Sequence, residues 1–376
     1  MLHKLMTLAV AMVPLTTSAL NYKDLNIHGF VSQAFIHSDG NNIYGDSTSG
    51  STDFFEAGVN ANYQFDNGVS LAGQLFSRDA GNADNGDIKI DYLFADFKAA
   101  ESERSGMGVR VGRVRNSIGF YNETRDVIFT RPTIIHPQAV YYEGNGLREL
   151  MFSSEGAQLY SYWDDDNHST SFNLTYGRDK SISRDVLRNI TGGSSNLIKG
   201  EIESPLFAQI LHSRNGGRSR YALSILDVAL QATKAMPMVP LSSVDAVGFI
   251  LSAERNWPRF SLTSEYSRLN LKNAVGAVVV EESYAESAYL QGRYRVLPSL
   301  LATLRYEFSR TVEDGDSRSH NRHWVAGVQW LPTSSWILAL DIYEMDGTAG
   351  IPGVDNMNRP LSQRTQVVAA VVGYRF

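Results

Sequence analysis

The amino-acid sequence predicts an all-β fold, a transmembrane antiparallel β-barrel of about sixteen strands. Three observations favour it. Many segments alternate apolar and polar residues with period two, the connections between them alternate between short and long, and the last segment ends on an aromatic residue. Period two places the apolar side chains of a strand on one face, which a membrane barrel turns toward lipid. The chain of 376 residues is long enough for such a barrel as one unit.

The clearest strand spans residues 55 to 65. Phe55, Val59 and Tyr63 share one face there, and Glu56 and Asn60 share the other. The same alternation recurs along the chain and predicts strand centres near residues 31, 60, 73, 92, 110, 159, 174, 209, 224, 250, 265, 290, 305, 327, 340 and 370. In 87–98 the apolar face switches after Tyr92, which indicates a β-bulge or a subunit contact.

Connections between the predicted strands alternate in length. Short ones such as 164–168 and 296–299 take turns with long polar ones, which include 227–243, 271–281 and 311–321. Short periplasmic turns and longer extracellular loops are typical of membrane barrels. A soluble β-sandwich has no physical reason to alternate short and long connections.

Composition excludes several classes of function. The chain has no Cys, which rules out disulfide frameworks, thiolate metal sites and Cys nucleophiles. Its 34 Lys and Arg are mixed with 40 Asp and Glu, so no basic tract predicts nucleic-acid binding. The His residues have no metal-ligand spacing and no Gly-x-Ser-x-Gly motif occurs. We therefore expect no metal, no cofactor and no catalytic residues.

The N-terminus predicts a signal peptide over residues 1–19. A positive start at Lys4 precedes an apolar run from Leu5 to Leu15, and small residues lead to Ala19. A retained anchor or a buried N-terminal helix is the alternative. We expect cleavage after Ala19, export through the inner membrane, and a single barrel over 20–376.

The polar faces of the strands are too charged for a dry core, so a barrel of about sixteen strands should hold water. The predicted pore wall comprises Glu56, Glu265, Arg293, Arg295, Arg305, Glu307 and Asp341. Inward candidates balance in sign: five are basic (Lys89, Arg293, Arg295, Arg305, Arg375) and five acidic (Glu56, Asp91, Glu265, Glu307, Asp341). The wall alone should therefore be weakly selective.

Residues 116–142 break the hairpin rhythm. This segment follows the fifth predicted strand and carries apolar residues such as Ile128, Phe129 and Ile134. Because these would be costly in solvent, we expect it to pack against the inner wall. Its predicted constriction residues are Arg113, Arg115, Glu123, Arg125, Asp126 and Arg131. Their charges suit either a transverse field across a pore or a salt-bridge network that ties the loop to the wall, and the sequence leaves both open.

Gly112-Arg113, the run Phe120–Asp126, and Thr130-Arg131-Pro132 resemble the fifth strand and third loop of the Gram-negative outer-membrane porin superfamily, particularly the porin-like and phosphate-selective porin-like proteins. The resemblance implies an inward-folded third loop, a homotrimer of barrels, and contact with outer-membrane lipid and lipopolysaccharide. The last strand, ending at Phe376, resembles the signal that the barrel-assembly machinery reads. No dense Arg and Lys ladder of a phosphate channel is present.

The sequence thus predicts an outer-membrane channel for passive diffusion of small hydrophilic solutes and ions. Two other classes stay open. A structural sheath around a periplasmic or extracellular partner needs an unobstructed lumen. A barrel enzyme needs a catalytic cluster at its rim, and none is evident.

Overall fold

The computed structural model describes residues 20–22, 24–66, 68–143, 147–182, 198–234, 242–275, 278–313, 316–357 and 359–376. The predicted signal peptide, 1–19, lies outside these residues. Over the described chain, sixteen long strands form a closed antiparallel barrel, with two short strands, Leu20–Tyr22 and Lys180–Ser181, added to it. The fold class predicted from the sequence is confirmed.

The barrel strands are β1 Leu25–Ser38, β2 Ser51–Gln64, β3 Val69–Ala80, β4 Asn85–Glu101, β5 Ser105–Arg115, β6 Ser153–Asp164, β7 His168–Gly177, β8 Ile198–Arg214, β9 Ser219–Lys234, β10 Ser242–Asn256, β11 Phe260–Val275, β12 Val278–Leu297, β13 Leu300–Glu313, β14 Asp316–Trp330, β15 Trp336–Asp346 and β16 Arg364–Arg375. Each predicted strand centre falls in its own strand. A short helix, α1 Leu147–Phe152, precedes β6.

The two ends of the barrel differ. Connections after even-numbered strands are turns of two to five residues, and we call this the turn end. The opposite, loop end carries the connections after odd-numbered strands, of which 116–152 is the longest. The long loops predicted at 227–243, 271–281 and 311–321 are wrong in extent, because β9 to β14 continue through most of each range. Hydrogen-bonded hairpins extend past the lipid there, where both faces meet water and the hydrophobic alternation fades.

Pairing of the last strand with the first closes the sheet. Val367 to Arg375 pair with Ser38 to Phe30, and one further pair of hydrogen bonds joins Phe376 and Gly29 (N···O 3.0 and 3.2 Å). Closure gives every strand two neighbours, as lipid requires, because hydrocarbon offers no hydrogen-bond partner to an open edge.

The switch predicted within β4 is a β-bulge. Leu75 pairs with Ile90 and Gln74 with Tyr92, which leaves Asp91 as the extra residue. Pairing between β4 and β5 stops at Leu93 and Arg113, so the stretch 85–92 is joined only to β3. The chain leaves the wall beside this stretch.

The outer surface carries a belt of exposed apolar side chains, contributed by nearly every strand. Its members include Val59, Leu75, Leu93, Leu223, Val247, Leu251, Leu290, Leu304, Val328 and Leu340. Trp163, Tyr176, Trp324 and Trp330 are also exposed on this surface, as interfacial aromatics are in membrane barrels. Among the described residues, no helix is long and apolar enough to cross a bilayer.

The interior holds two apolar clusters. Ile128, Ile134 and Ile135 of the 116–152 connection pack with Val325 and Ile337 of the wall. On the opposite side, Ile118 packs with Phe207, Leu226 and Ile250. The inner wall is therefore apolar in patches, and the inward segment covers these patches.

Candidate functional site

The 116–152 connection enters the lumen through a narrow neck at the end of β5. The backbone N–H of Asn116 donates to the carbonyl of Phe152 (2.9 Å), and the Asn116 amide donates to Met151 O (3.0 Å). Inside the neck, the Asn122 amide donates to Asn116 O (2.8 Å). The two ends of the connection are thus hydrogen-bonded to each other where they leave the wall, and the described residues between them, 117–143 and 147–151, belong to an inward loop.

One side of this inward loop is bound to strands β8 to β11. Backbone N–H groups of Gly119 and Phe120 donate to Ser224 Oγ (2.9 Å) and Glu265 Oε1 (2.9 Å). The Tyr141 hydroxyl donates to the other oxygen of Glu265 (2.6 Å). Glu265 is fully buried, so this predicted wall residue serves as an acceptor for loop donors.

The other side is bound to β13, β14 and β15. Asp341 accepts from the backbone N–H of Ile134 (2.6 Å), and Glu307 accepts from that of Ala139 (2.9 Å). Arg305 donates to Thr133 Oγ1 (2.6 Å) and is ion-paired with Glu307 (2.7 Å). Arg305, Glu307 and Asp341 are all buried beneath the loop. These three predicted wall residues therefore hold loop backbone.

Ion pairs join the loop to β2, β3 and β4. Arg131 pairs with Glu56 (2.6 Å), a fourth predicted wall residue, and its Nε and Nη2 also donate to the carbonyls of Arg125 (2.6 Å) and Asp126 (3.0 Å). Arg115 bridges Asp91 (2.7 Å) and Asp126 (3.0 Å). The salt-bridge network that the sequence allowed is thus present for Arg115, Asp126 and Arg131.

Three further charged residues of this network escaped the sequence analysis. Glu143 pairs with both Arg125 (2.9 Å) and Arg78 (2.7 Å), and Arg148 pairs with Asp126. Arg78 lies at the end of β3 with the inward parity of Gln74, which is a usable signal. Glu143 and Arg148 lie in irregular chain, where no period assigns a side chain to a face.

Glu143 and His136 of the loop have shifted pKa values. Burial alone would raise the pKa of the Glu143 carboxyl, but the guanidiniums of Arg78 and Arg125 lower it below its usual value. Burial, assisted by the nearby Arg131, lowers the pKa of His136 well below 6.5. His136 Nε2 lies 3.0 Å from the carbonyl of Arg125. The docked loop thus contains an ionised Glu143 and a neutral His136.

Two predicted constriction residues stand apart from this buried set. Arg113 pairs across the ladders with Leu93 and Glu155, and its Nε donates to Ser153 Oγ (3.0 Å). Because directly paired residues share a face and Leu93 belongs to the exposed apolar belt, the ladder places Arg113 on the outer face of the wall. Glu123 is exposed on the loop, where its Oε1 accepts from Ser117 (3.1 Å).

Arg293 and Arg295 occupy the turn-end part of the wall. Arg293 is half-buried and donates to the side-chain oxygen of Gln329, whereas Arg295 is exposed. Phe376, at the same end, places its ring over Gly29, where any Cβ would collide with it. Gly29 therefore makes room for the terminal aromatic against β1.

We compared the chain with known protein families, curated proteins and solved structures. No family model matches the chain, and no curated protein matches it either. Solved structures do match: the channel DcaP of Acinetobacter baumannii has a TM-score of 0.60 at 14% identity, with 96% of this chain and 100% of that chain covered. The fold is that of a porin barrel.

Two other structures give the same result. OmpT of Vibrio cholerae has a TM-score of 0.58 at 11% identity, covering 96% of this chain and 100% of that one. The anion-selective porin from Comamonas acidovorans has a TM-score of 0.58 at 13% identity, covering 94% and 99%. At the level of fold, the resemblance read from the sequence is confirmed.

Proposed function

We propose that the chain forms a water-filled channel in the outer membrane of a Gram-negative bacterium, for passive diffusion of small hydrophilic solutes and ions. The observation that carries the proposal is a closed sixteen-stranded barrel with an apolar outer belt, narrowed by an inward loop. Sixteen strands enclose more space than side chains fill. We infer that the signal peptide 1–19 directs export and that the loop, about 116–142, sets the narrowest section.

Single-channel recording in a planar bilayer tests this proposal. Purified, heat-modifiable protein should give steady ohmic steps of current with no partner or substrate added. A folded barrel that inserts and conducts no ions would contradict it. The sheath alternative loses support because the loop occupies the space that a partner would need, and no described cluster of side chains favours an enzyme.

We also propose that the chain assembles as a homotrimer. A trimer form of Vibrio cholerae OmpT, a structure with 12% identity to this chain, supports the idea. The irregular outer faces of β1 and β4, where Gln33 and Ile88 face outward, suit a subunit contact. Native mass measurement in lipid nanodiscs should give three copies per particle, and a single copy would count against the trimer.

Phe376 is proposed as the signal that the assembly machinery reads. Phe376→Asp should greatly reduce insertion, because it removes the aromatic ring and places a charge at the edge of the apolar belt. Phe376→Tyr, which keeps a ring over Gly29, is the matched control. Normal outer-membrane levels of heat-modifiable Phe376→Asp protein would contradict the role.

A further inference from the structure

Among the inward charged residues predicted from the sequence, the acidic side chains are buried and most of the basic side chains are exposed. The five acidic candidates on the wall, Glu56, Asp91, Glu265, Glu307 and Asp341, are each at most 5% exposed. Of the five basic candidates, only Arg305 is buried, whereas Lys89, Arg293, Arg295 and Arg375 remain partly or fully exposed. The balanced tally of the sequence thus becomes four accessible cations and no accessible anion.

Accessible charge, rather than total charge, determines the potential that a passing ion meets. A buried carboxylate that is paired or accepts two hydrogen bonds has most of its field cancelled by its partners. Glu56 is paired with Arg131, Asp91 with Arg115 and Glu307 with Arg305. The loop therefore removes the negative half of the wall from the water-filled space.

Three of the accessible arginines lie in the turn-end part of the wall. Arg293 and Arg295 are on β12, and Arg375 is the last residue of β16. Over the described parts of the chain, no carboxylate forms an ion pair with any of them. Arg293 Nε is buried and has no hydrogen-bond partner. Arg375 donates to Ser334 O (2.9 Å) and lies over the Phe129 ring of the loop, 4.4 Å from its centre.

Neighbouring charges do not offset these three. Arg110 pairs with Asp96 (3.1 Å) and Arg220 with Glu254 (3.3 Å), so each pair is neutral. The exposed acid of the loop, Glu123, contributes one negative charge. Lys89 is paired with Asp84 (3.0 Å) at the loop end. The neighbouring ion pairs thus add no net charge beside Arg293, Arg295 and Arg375.

We propose that this part of the lumen, lined by Arg293, Arg295 and Arg375, is an anion vestibule that selects small anions over cations. Guanidinium groups without carboxylate partners bind carboxylate and phosphate oxygens, often through two parallel hydrogen bonds. Small inorganic anions and organic acids are the solute class that it fits. The inference deepens the proposed channel function and rests on it.

Reversal potentials under a KCl gradient test the vestibule. The wild-type channel should favour chloride. The triple variant Arg293→Gln, Arg295→Gln, Arg375→Gln should reduce the chloride-to-potassium permeability ratio several-fold, because it removes three positive charges from the wall of the lumen. The matched control is Arg268→Gln, Arg310→Gln, Arg322→Gln. It makes the same change in formal charge on the outer face of β11, β13 and β14, so the permeability ratio should stay unchanged.

A cation-selective wild-type channel, or a triple variant with wild-type selectivity, would overturn the vestibule while leaving the channel intact. Absence of current from folded protein would instead overturn the channel function itself. If the triple variant does not fold, Arg295→Gln alone, at an exposed side chain, should still lower the ratio. An unchanged ratio there would also count against the vestibule.

Discussion

The inward loop and the turn-end vestibule use the same residue types in opposite ways. Around the loop, Arg115, Arg125 and Arg131 each meet a carboxylate within 3.0 Å and are largely removed from water. At the turn end, Arg293 and Arg295 have no carboxylate partner among the described residues. A buried pair stabilises one geometry, whereas an unpaired accessible charge acts on whatever enters. Burial and pairing thus separate charges that hold the loop from charges that select solutes.

Replacing Glu123–Gln138 by a short Gly-Ser linker should have the largest effect on conductance and selectivity. Removal of the loop widens the narrowest section, so conductance should rise several-fold. It also uncovers Glu56 and Asp341, whose loop partners Arg131 and Ile134 are removed, so selectivity should move toward cations. Single-channel conductance and reversal potential measure both effects. A linker variant with wild-type conductance would show that the loop does not set the narrowest section.

Arg131→Met should produce the next largest effect. The substitution leaves Glu56 buried with only a longer contact to Arg78 (3.4 Å) and removes donors to loop carbonyls. Removing one partner of a buried pair typically costs about 3–5 kcal/mol. The heat-modification temperature should fall and current noise should rise.

Arg104→Gln is the control for this substitution. Arg104 pairs with Asp166 in an exposed turn (3.2 Å). Exposed pairs of this kind contribute at most about 1 kcal/mol, so heat modification should hardly change. Equal effects of the two substitutions would show that the buried pair does not hold the loop.

The sequence predicted the positions of the strands better than it predicted which charged side chains are accessible to water. Alternation predicts a strand and its two faces wherever one face meets lipid, so the sixteen strand centres were accessible from pattern alone. The switch of face near Tyr92 was also visible, but the pattern left a bulge and a subunit contact open, and the pairing shows the bulge at Asp91. Parity also placed Glu56, Glu265 and Asp341 inward. It carries no information on whether an inward side chain meets water or another segment of chain.

That missing information depends on contacts distant in sequence. Asp341 is buried because the backbone of Ile134, more than 200 residues away, donates to it. Glu143 gains its partners from two different parts of the chain. Arg113 is a different case, because its parity is that of the exposed Val111, so alternation alone places it on the outer face of β5.

Acid should loosen the loop through His136. Its pKa lies well below 6.5 when the loop is docked, so the released loop binds more protons between that value and 6.5. The docked state therefore loses stability as pH falls through this window. Arg125, Arg131 and Glu143 face the ring, and Glu143 stays ionised because its own pKa is lowered. Current noise should rise from about pH 7 to about pH 5 in the wild type.

His136→Gln keeps a side-chain donor for the Arg125 carbonyl and removes the titrating ring. This variant should show no added noise over the same range of pH. Equal pH dependence in both proteins would assign the effect to another group.

Salt should separate the two regions without any substitution. The screening length falls from about 10 Å at 0.1 M to about 3 Å at 1 M, and screening acts on charges that face water. The chloride preference produced by Arg293, Arg295 and Arg375 should therefore shrink over this range. The pairs of Arg125 and Arg131 are buried from the same ions, so the noise that reports loop docking should not change. Selectivity that resists salt while noise increases would reverse the assignment of the two regions.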